Sequence, residues 1–380
     1  MQERVLKFLA SPGGEPFESL ALDLFAFQYS NNPAYRSWCD SLGVAPGRIT
    51  SPDDIPAVPA QAFRDLDLAC GPPAAEFRTS GTSGGGHGRH LIPSLEPYRA
   101  SAIAWFRKCV MPEGWKLRTL ALALPPEKRP SSSLSRMLGW VMEEFGEPGS
   151  GWFAGEGGVE NERLAEALLD AGRAGTPALV LTTSAALSRF LSFCESSGVT
   201  VRLPGGSRLM DTGGLKGAVC EGGRSGIPVP PGLAGNPGAP YAAGLSLADF
   251  QSGLYRRVAS VLGIPEDRCV NEYGMTELSS QLYDPVIRDR HEGRDPGPRL
   301  KLAPPWLRVT AVDPVSLRPA APGEAGMLRF IDLANAGSVL AVLTEDIGRV
   351  LPGGLELLGR PGSAEARGCG LDLSAPGAER

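Results

Sequence analysis

Residues 161–184, NERLAEALLDAGRAGTPALVLTTS, decide the fold class. Residues 161–171 space their apolar side chains at helical intervals, which predicts a helix with one buried face. Residues 178–182 form a continuous apolar run, the pattern of a strand covered on both faces. Ser184 can cap a helix that follows. Helix, buried strand and helix in this order are the unit of a layered α/β sheet.

Working outward, the same alternation recurs. Helices are expected over 17–31 (ending before Pro33), 132–145 and 245–263. Strands are expected over 118–124, stopped by Pro125 and Pro126, and over 268–271. From residue 307 onward the pattern changes to short β segments at 307–312, 327–333 and 339–343. The expected fold class is therefore α/β, a layered α/β body with an added β-rich subdomain. Residues 221–244 are rich in Gly and Pro and read as an exposed loop. Residues 361–380 are small and polar and read as a mobile tail.

The 380 residues are long enough to bury a large core, and 42% hydrophobic with 21% charged is ordinary for a globular chain. A net charge of −5 without a basic run excludes an electrostatic footprint for nucleic acid. No apolar run approaches the roughly 20 residues of a membrane-spanning helix, and the start of the chain lacks a signal peptide's apolar stretch. The seven cysteines are scattered and form no CxxC pair, so neither a disulfide framework nor a zinc site is expected. A cytoplasmic location fits these features.

Three segments carry chemistry. Residues 79–90 read TSGTSGGGHGRH. Hydroxyls and glycines in this order bring backbone N–H groups close to phosphate oxygens. A Walker loop is excluded because no GK[ST] triplet exists, and GxGxxG fails because Arg89 stands where its third glycine would fall. Gly81, Ser83 and Gly85 formally match the GxSxG elbow of a serine hydrolase, with His291 and Asp211 as its further members. That match lies inside a Ser/Thr/Gly run that satisfies many short patterns. Residues 271–281, NEYGMTELSSQ, follow an expected strand. There Tyr273 can stack on a base, Thr276 can bond a phosphate and Glu277 can hold Mg²⁺. The alternative makes Tyr273 core and Glu277 a solvated carboxylate. Residues 343–349, LTEDIGR, place a carboxylate pair after an apolar run, which suits a ribose diol; Asp346 is the better candidate and Glu345 the one expected at the surface.

In this order the three segments resemble the acyl-adenylate-forming superfamily, whose signatures are TSGT[ST]G, YGxTE and [ST]xDxG. The resemblance spans residues 77–360. FESLALDLFAFQYSNNPAYRSWC (17–39), IPAVPAQAF (55–63) and GRPGSAEARGCGLDLS (359–374) extend it to LuxE-like acyl-protein synthetases. The resemblance implies that Thr79, Ser80, Gly81, Thr82, Ser83 and Gly84 hold ATP phosphates. It implies that Gly213, Gly214, Tyr273 and Gly274 form the adenine pocket, and that Asp346 binds ribose. By the same resemblance Thr276 meets the α-phosphate, Glu277 the Mg²⁺, and Arg360 is the hinge arginine. It divides the chain into an adenylate-forming domain, 1–355, and a short tail, 356–380, that carries the acyl-accepting Cys369.

Two departures from the superfamily stand out. Where many members carry a lysine after the glycines, this chain has Arg89 and His90. The C-terminal subdomain with its catalytic lysine is expected to be missing, since the last lysine is Lys301. Arg89, Arg360 and Arg367 are then candidates to steady the departing pyrophosphate. The implied activity is ATP-dependent activation of a carboxylic acid, expected to be a fatty acid, and acyl transfer to a thiol, with an acyl reductase as a downstream partner. An acyl-CoA ligase, a non-catalytic adenylate-binding scaffold and the serine hydrolase are the alternatives.

Overall fold

The computed structural model describes residues 1–79, 87–155, 157–213 and 247–359. Its centre is a six-stranded sheet in the order Leu282–Tyr283, Cys269–Tyr273, Arg208–Thr212, Ala178–Thr183, Arg118–Ala121, Gly151–Trp152. All neighbours run parallel except the short Leu282–Tyr283 edge. A parallel sheet must be covered on both faces, which is why every residue of Ala178–Thr183 is buried.

Helices Asn161–Ala174, Ser184–Ser196 and Leu247–Leu262 run between these strands. Leu164, Leu168 and Ala171 of the first of them recur at helical spacing and enter the core that covers one face of the sheet. Gly175 ends that helix at φ 64°, the left-handed cap that glycine adopts without a Cβ clash. The cap of the next helix is Thr183, whose side chain accepts from the Ala186 N–H; the expected capping residue, Ser184, is already helical and turns its hydroxyl elsewhere. On the other sheet face a larger core gathers the N-terminal helices, Glu96–Cys109, Ser133–Phe145 and the β-rich part.

That β-rich part is a second sheet. Leu307–Val312, Ala325–Asp332, Ala341–Leu351 and Gly354–Gly359 pair antiparallel in sequence order, and Val58–Pro59 joins Ala341–Leu351 in parallel. The layered α/β body with an added β subdomain matches the sequence expectation. The strand predicted over 339–343 in fact starts at Ala341 and continues to Leu351, so Glu345 and Asp346 stand on a strand rather than in a loop. A small hairpin, Ala75–Arg78 with Arg89–Ile92, was not legible from periodicity because each arm has only four residues. Among the described residues no helix is long and apolar enough to cross a membrane.

Candidate functional site

In sequence the first motif, residues 79–90, runs from just after one arm of that hairpin into the other. Ser80, Gly81, Thr82, Ser83 and Gly84 lie outside the described residues, but the neck that carries them is described. The Thr79 N–H donates to the Gly88 carbonyl at 2.9 Å, and the Gly88 N–H returns a bond to Thr79 Oγ1 at 2.8 Å. His87 Nδ1 donates to the Thr79 carbonyl at 2.7 Å. A Cβ at Gly88 would lie a tight 3.1 Å from Thr79 Oγ1 and Cγ2. The loop therefore leaves from a closed neck.

The second motif follows the Cys269–Tyr273 strand, where the sheet's parallel strands present their carboxyl ends, the usual ligand side of such a sheet. Its turn is held by side chains from other elements. His90 Nδ1 donates to the Thr276 carbonyl at 2.7 Å, and Asn335 Nδ2 to the Glu277 carbonyl at 2.9 Å. Asp332 accepts from the Ser279 N–H at 3.0 Å and from Ser280 Oγ at 2.7 Å. Thr276 and Glu277 are themselves buried, at 5% and 8% exposure, which sets them apart from the solvated carboxylate of the alternative reading.

The third motif meets the second directly. Tyr273 OH donates to Asp346 Oδ2 at 2.8 Å, and the Tyr273 ring stacks on Phe330 with centroids 6.1 Å apart and planes 28° apart. Strand alternation sends Glu345 the other way, where it accepts from Gln61. The Asp346 N–H donates to Thr344 Oγ1 at 3.1 Å, and that hydroxyl is anchored on the Leu328 carbonyl. The three motifs are thus joined in series, hairpin to turn through His90 and turn to strand through Tyr273.

Gly213 leaves the Arg208–Thr212 strand at φ 91°, a conformation suited to glycine. Its carbonyl accepts from Ser184 Oγ and from Asn271 Nδ2, each at 3.2 Å. Gly214 lies outside the described residues, as do Arg360, Arg367 and Cys369. Gly274 leaves room for Glu272, whose Oε1 would lie 2.4 Å from a Cβ at that position.

Two sequence readings meet the structure here. Of the two residues that follow the glycines, His90 does not stand in for a lysine's charge, while Arg89 keeps its charge at the surface. Arg89 pairs with Asp67 at 2.6 Å, and burial pushes the His90 imidazole down to about 4, so it carries no charge at neutral pH. The hydrolase arrangement also fails. Both oxygens of Asp211 are taken, by Tyr255 OH at 2.6 Å on one and by Ser184 Oγ and Asn271 Nδ2 on the other. His291 instead lines a surface hollow with Arg107, Lys108 and Glu292.

Glu272 is a site neighbour that sequence reasoning missed. It accepts from Thr212 Oγ1, and burial pushes its carboxyl up to about 7 against the help of Thr212 and Lys301. The folded carboxyl holds its proton more tightly than the unfolded one, so its stabilising contribution is full below about pH 4.5 and is lost as pH rises through about 7. Glu272→Gln keeps an acceptor for Thr212 and removes this loss. Urea denaturation is expected to find the variant more stable than the parent at pH 8 by on the order of 1–3 kcal/mol, with the gain gone at pH 4.5. A difference between the two proteins that does not change with pH would contradict this.

Comparison with known proteins places the geometry. Residues 249–376 match the family model described as Acyl-protein synthetase, LuxE. A 111-residue segment is 32% identical to the long-chain-fatty-acid–luciferin-component ligase of Aliivibrio fischeri, covering 27% of this chain and 26% of that protein. Among solved structures, an open conformation of 2-hydroxyisobutyryl-CoA ligase with 2-HIB-AMP and CoA superposes with a TM-score of 0.60. It is 15% identical, and the match covers 90% of this chain and 72% of that one. The same ligase in its thioesterification state gives 0.59, at 15% identity over 94% and 68% of the two chains. At such identities the superposition shows the fold alone, and the chain shares its fold with this CoA ligase.

Proposed function

Taking the chain as a LuxE-like member of the acyl-adenylate-forming superfamily, we propose that it activates a fatty acid with ATP and passes the acyl group to a cysteine thiol. The observation that carries this reading is the Tyr273–Asp346 contact, which unites an aromatic wall and a ribose-type carboxylate at the carboxyl ends of a parallel sheet. The ATP phosphates would lie on the loop that starts at Thr79 and runs through Ser80, Gly81, Thr82, Ser83 and Gly84. Adenine would lie against Tyr273, Gly274, Gly213 and Gly214, the ribose on Asp346, and the α-phosphate by Thr276.

Glu277 suits Mg²⁺, because it is a hard oxygen donor and Mg²⁺ commonly takes one or two carboxylates and completes its shell with phosphate and water. Among the described residues no group of three or more His, Cys, Asp or Glu side chains forms a metal cage, so a shared protein–phosphate site is the fitting kind. When bound, the ion would offset phosphate charge.

In the first step a carboxylate oxygen of the acid attacks the α-phosphorus. The bond from that phosphorus to the bridging oxygen breaks, leaving acyl-AMP and pyrophosphate. The protein's part is to hold the two reactants in line and to stabilise the charge that develops. Arg89, Arg360 and Arg367 remain the candidates for the departing pyrophosphate; the Arg89–Asp67 pair is exposed and too weak to hold Arg89 away from a phosphate. In the second step the Cys369 thiolate attacks the acyl carbon, AMP leaves with the electron pair, and a thioester remains for an acyl reductase to consume.

The choice of Cys369 comes from the resemblance, and burial argues against the five described thiols. Cys39, Cys109, Cys194 and Cys269 are buried, and desolvation raises the thiol pKa of all four and of half-buried Cys70. Cys39 and Cys194 reach about 11 and Cys70 about 12. None of these five supplies thiolate at neutral pH.

ATP–pyrophosphate exchange across straight-chain acids of rising length tests the reading. Exchange that depends on acid and peaks with long chains supports it. Exchange with none of them overturns it, and release of free acyl-CoA without an acyl-protein would replace the second step by direct transfer to coenzyme A.

A further inference from the structure

His90 is 1% exposed and sits on the hairpin strand one step beyond the neck, paired in register with Phe77. Its ring stands edge-on to Phe63, with centroids 5.5 Å apart and planes at 87°. Nδ1 faces the Thr276 carbonyl, which can only accept, so the proton is on Nδ1 and Nε2 is a bare acceptor. Nε2 is buried and has no hydrogen-bond partner among the described residues. A position that needed only to fill space would be served better by an apolar side chain, because leaving a buried polar atom unpaired costs about 1–3 kcal/mol. Among the described residues, the side-chain hydrogen bond that repays this burial is the one to Thr276.

That bond joins two arms that are otherwise separate in sequence by 186 positions. One arm carries the glycine-rich loop. The other carries the Thr276 and Glu277 side chains, whose backbone is fixed on its far side by Asn335. We propose that His90 is a positioning residue, a donor that holds the Arg89–Ile92 hairpin strand and the Thr276–Glu277 turn at a fixed separation, so that Thr276 and Glu277 keep the places the adenylation reading gives them. The inference rests on the adenylation reading, but the link itself is independent of it. Three consequences follow from the geometry. A donor at the Nδ1 position is what matters, so Asn, whose amide nitrogen sits near that position, replaces His. Gln, whose amide reaches the Nε2 position, does not. Leu, of similar bulk to Asn and without a donor, leaves the Thr276 carbonyl unpaired.

The test compares His90→Asn, His90→Leu and His90→Gln in full-length protein by two measurements. In acid-dependent ATP–pyrophosphate exchange, Leu and Gln are expected to lower kcat by roughly ten- to a hundredfold, the loss that follows a misplacement of about 1 Å. KM for the acid stays near the parent value, and Asn stays within a few-fold of the parent throughout. In amide hydrogen exchange, protection over residues 274–279 falls in Leu and Gln and is restored in Asn. Equal impairment of all three variants reduces His90 to a packing role and overturns the proposal, as does a Leu variant with parental kcat. Should the parent protein show no exchange with any acid, the adenylation reading fails instead, and the hydrogen-exchange comparison still decides whether His90 sets the two arms.

Discussion

Asp346→Ala is expected to lower acid-dependent ATP–pyrophosphate exchange by about a hundredfold or more, chiefly through KM for ATP. In the proposed pose this carboxylate accepts both ribose hydroxyls, and each charge-assisted hydrogen bond is worth roughly 1.5–3 kcal/mol. Its loss also takes from Tyr273 OH its bond at 2.8 Å, while the stack of the Tyr273 ring on Phe330 remains. Glu345→Ala is the control. Its side chain faces Gln61 at the surface, and the variant should exchange pyrophosphate at nearly the parental rate. Initial rates at varied ATP, with the acid saturating, read the outcome. An Asp346→Ala protein with parental KM for ATP would remove the carboxylate from the nucleotide site.

Cys369→Ala is expected to separate the two chemical steps completely. Exchange depends only on forming and reversing the adenylate, so it should persist at the parental rate. Covalent label from radioactive fatty acid, stable to denaturation and released by neutral hydroxylamine, should disappear. The five described cysteines cannot compensate, because burial raises every one of their thiols above the ordinary range. Gel autoradiography of parent and variant after incubation with acid and ATP measures this. Label that survives in Cys369→Ala at parental intensity would move the acceptor to another residue, and Cys220 is the remaining thiol to change.

Much of the fold is written in the sequence for a simple reason. Buried parallel strands such as Ala178–Thr183 must be apolar throughout, and the helices that cover them must present one apolar face, so both periods stand out. The antiparallel part is harder to read. In Ala341–Leu351 most of the first residues are buried, Thr344 among them, whereas Glu345 and Asp346 are half-buried and Arg349 is exposed. Its polar residues read as the end of the strand when they are its middle. The hairpin that carries the glycine-rich loop escaped for a related reason, since four residues per arm are too few to show a period.

At the site, the motif residues were legible and their supports were not. Tyr273, Thr276, Glu277 and Asp346 announce themselves by residue type and spacing. His90, Asn335 and Asp332 act through backbone groups of a segment far away in sequence, and nothing local marks a side chain for such work. In the sequence His90 only stands beside Arg89 where many superfamily members carry a lysine. Its burial gives it the opposite property, neutrality, and a fixed tautomer. Glu272 looked like an ordinary strand residue, but it faces Thr212 across two paired parallel strands, a relation that exists only once the sheet is assembled.

Photolabelling with 8-azido-ATP, followed by peptide mapping, tests most directly whether the motifs share one nucleotide. Label should fall on the peptides containing Tyr273 and Asp346 and should be displaced by excess ATP in the presence of a long-chain acid. Label confined to peptides outside the three motifs, or label that ATP does not displace, would contradict a common adenylation site.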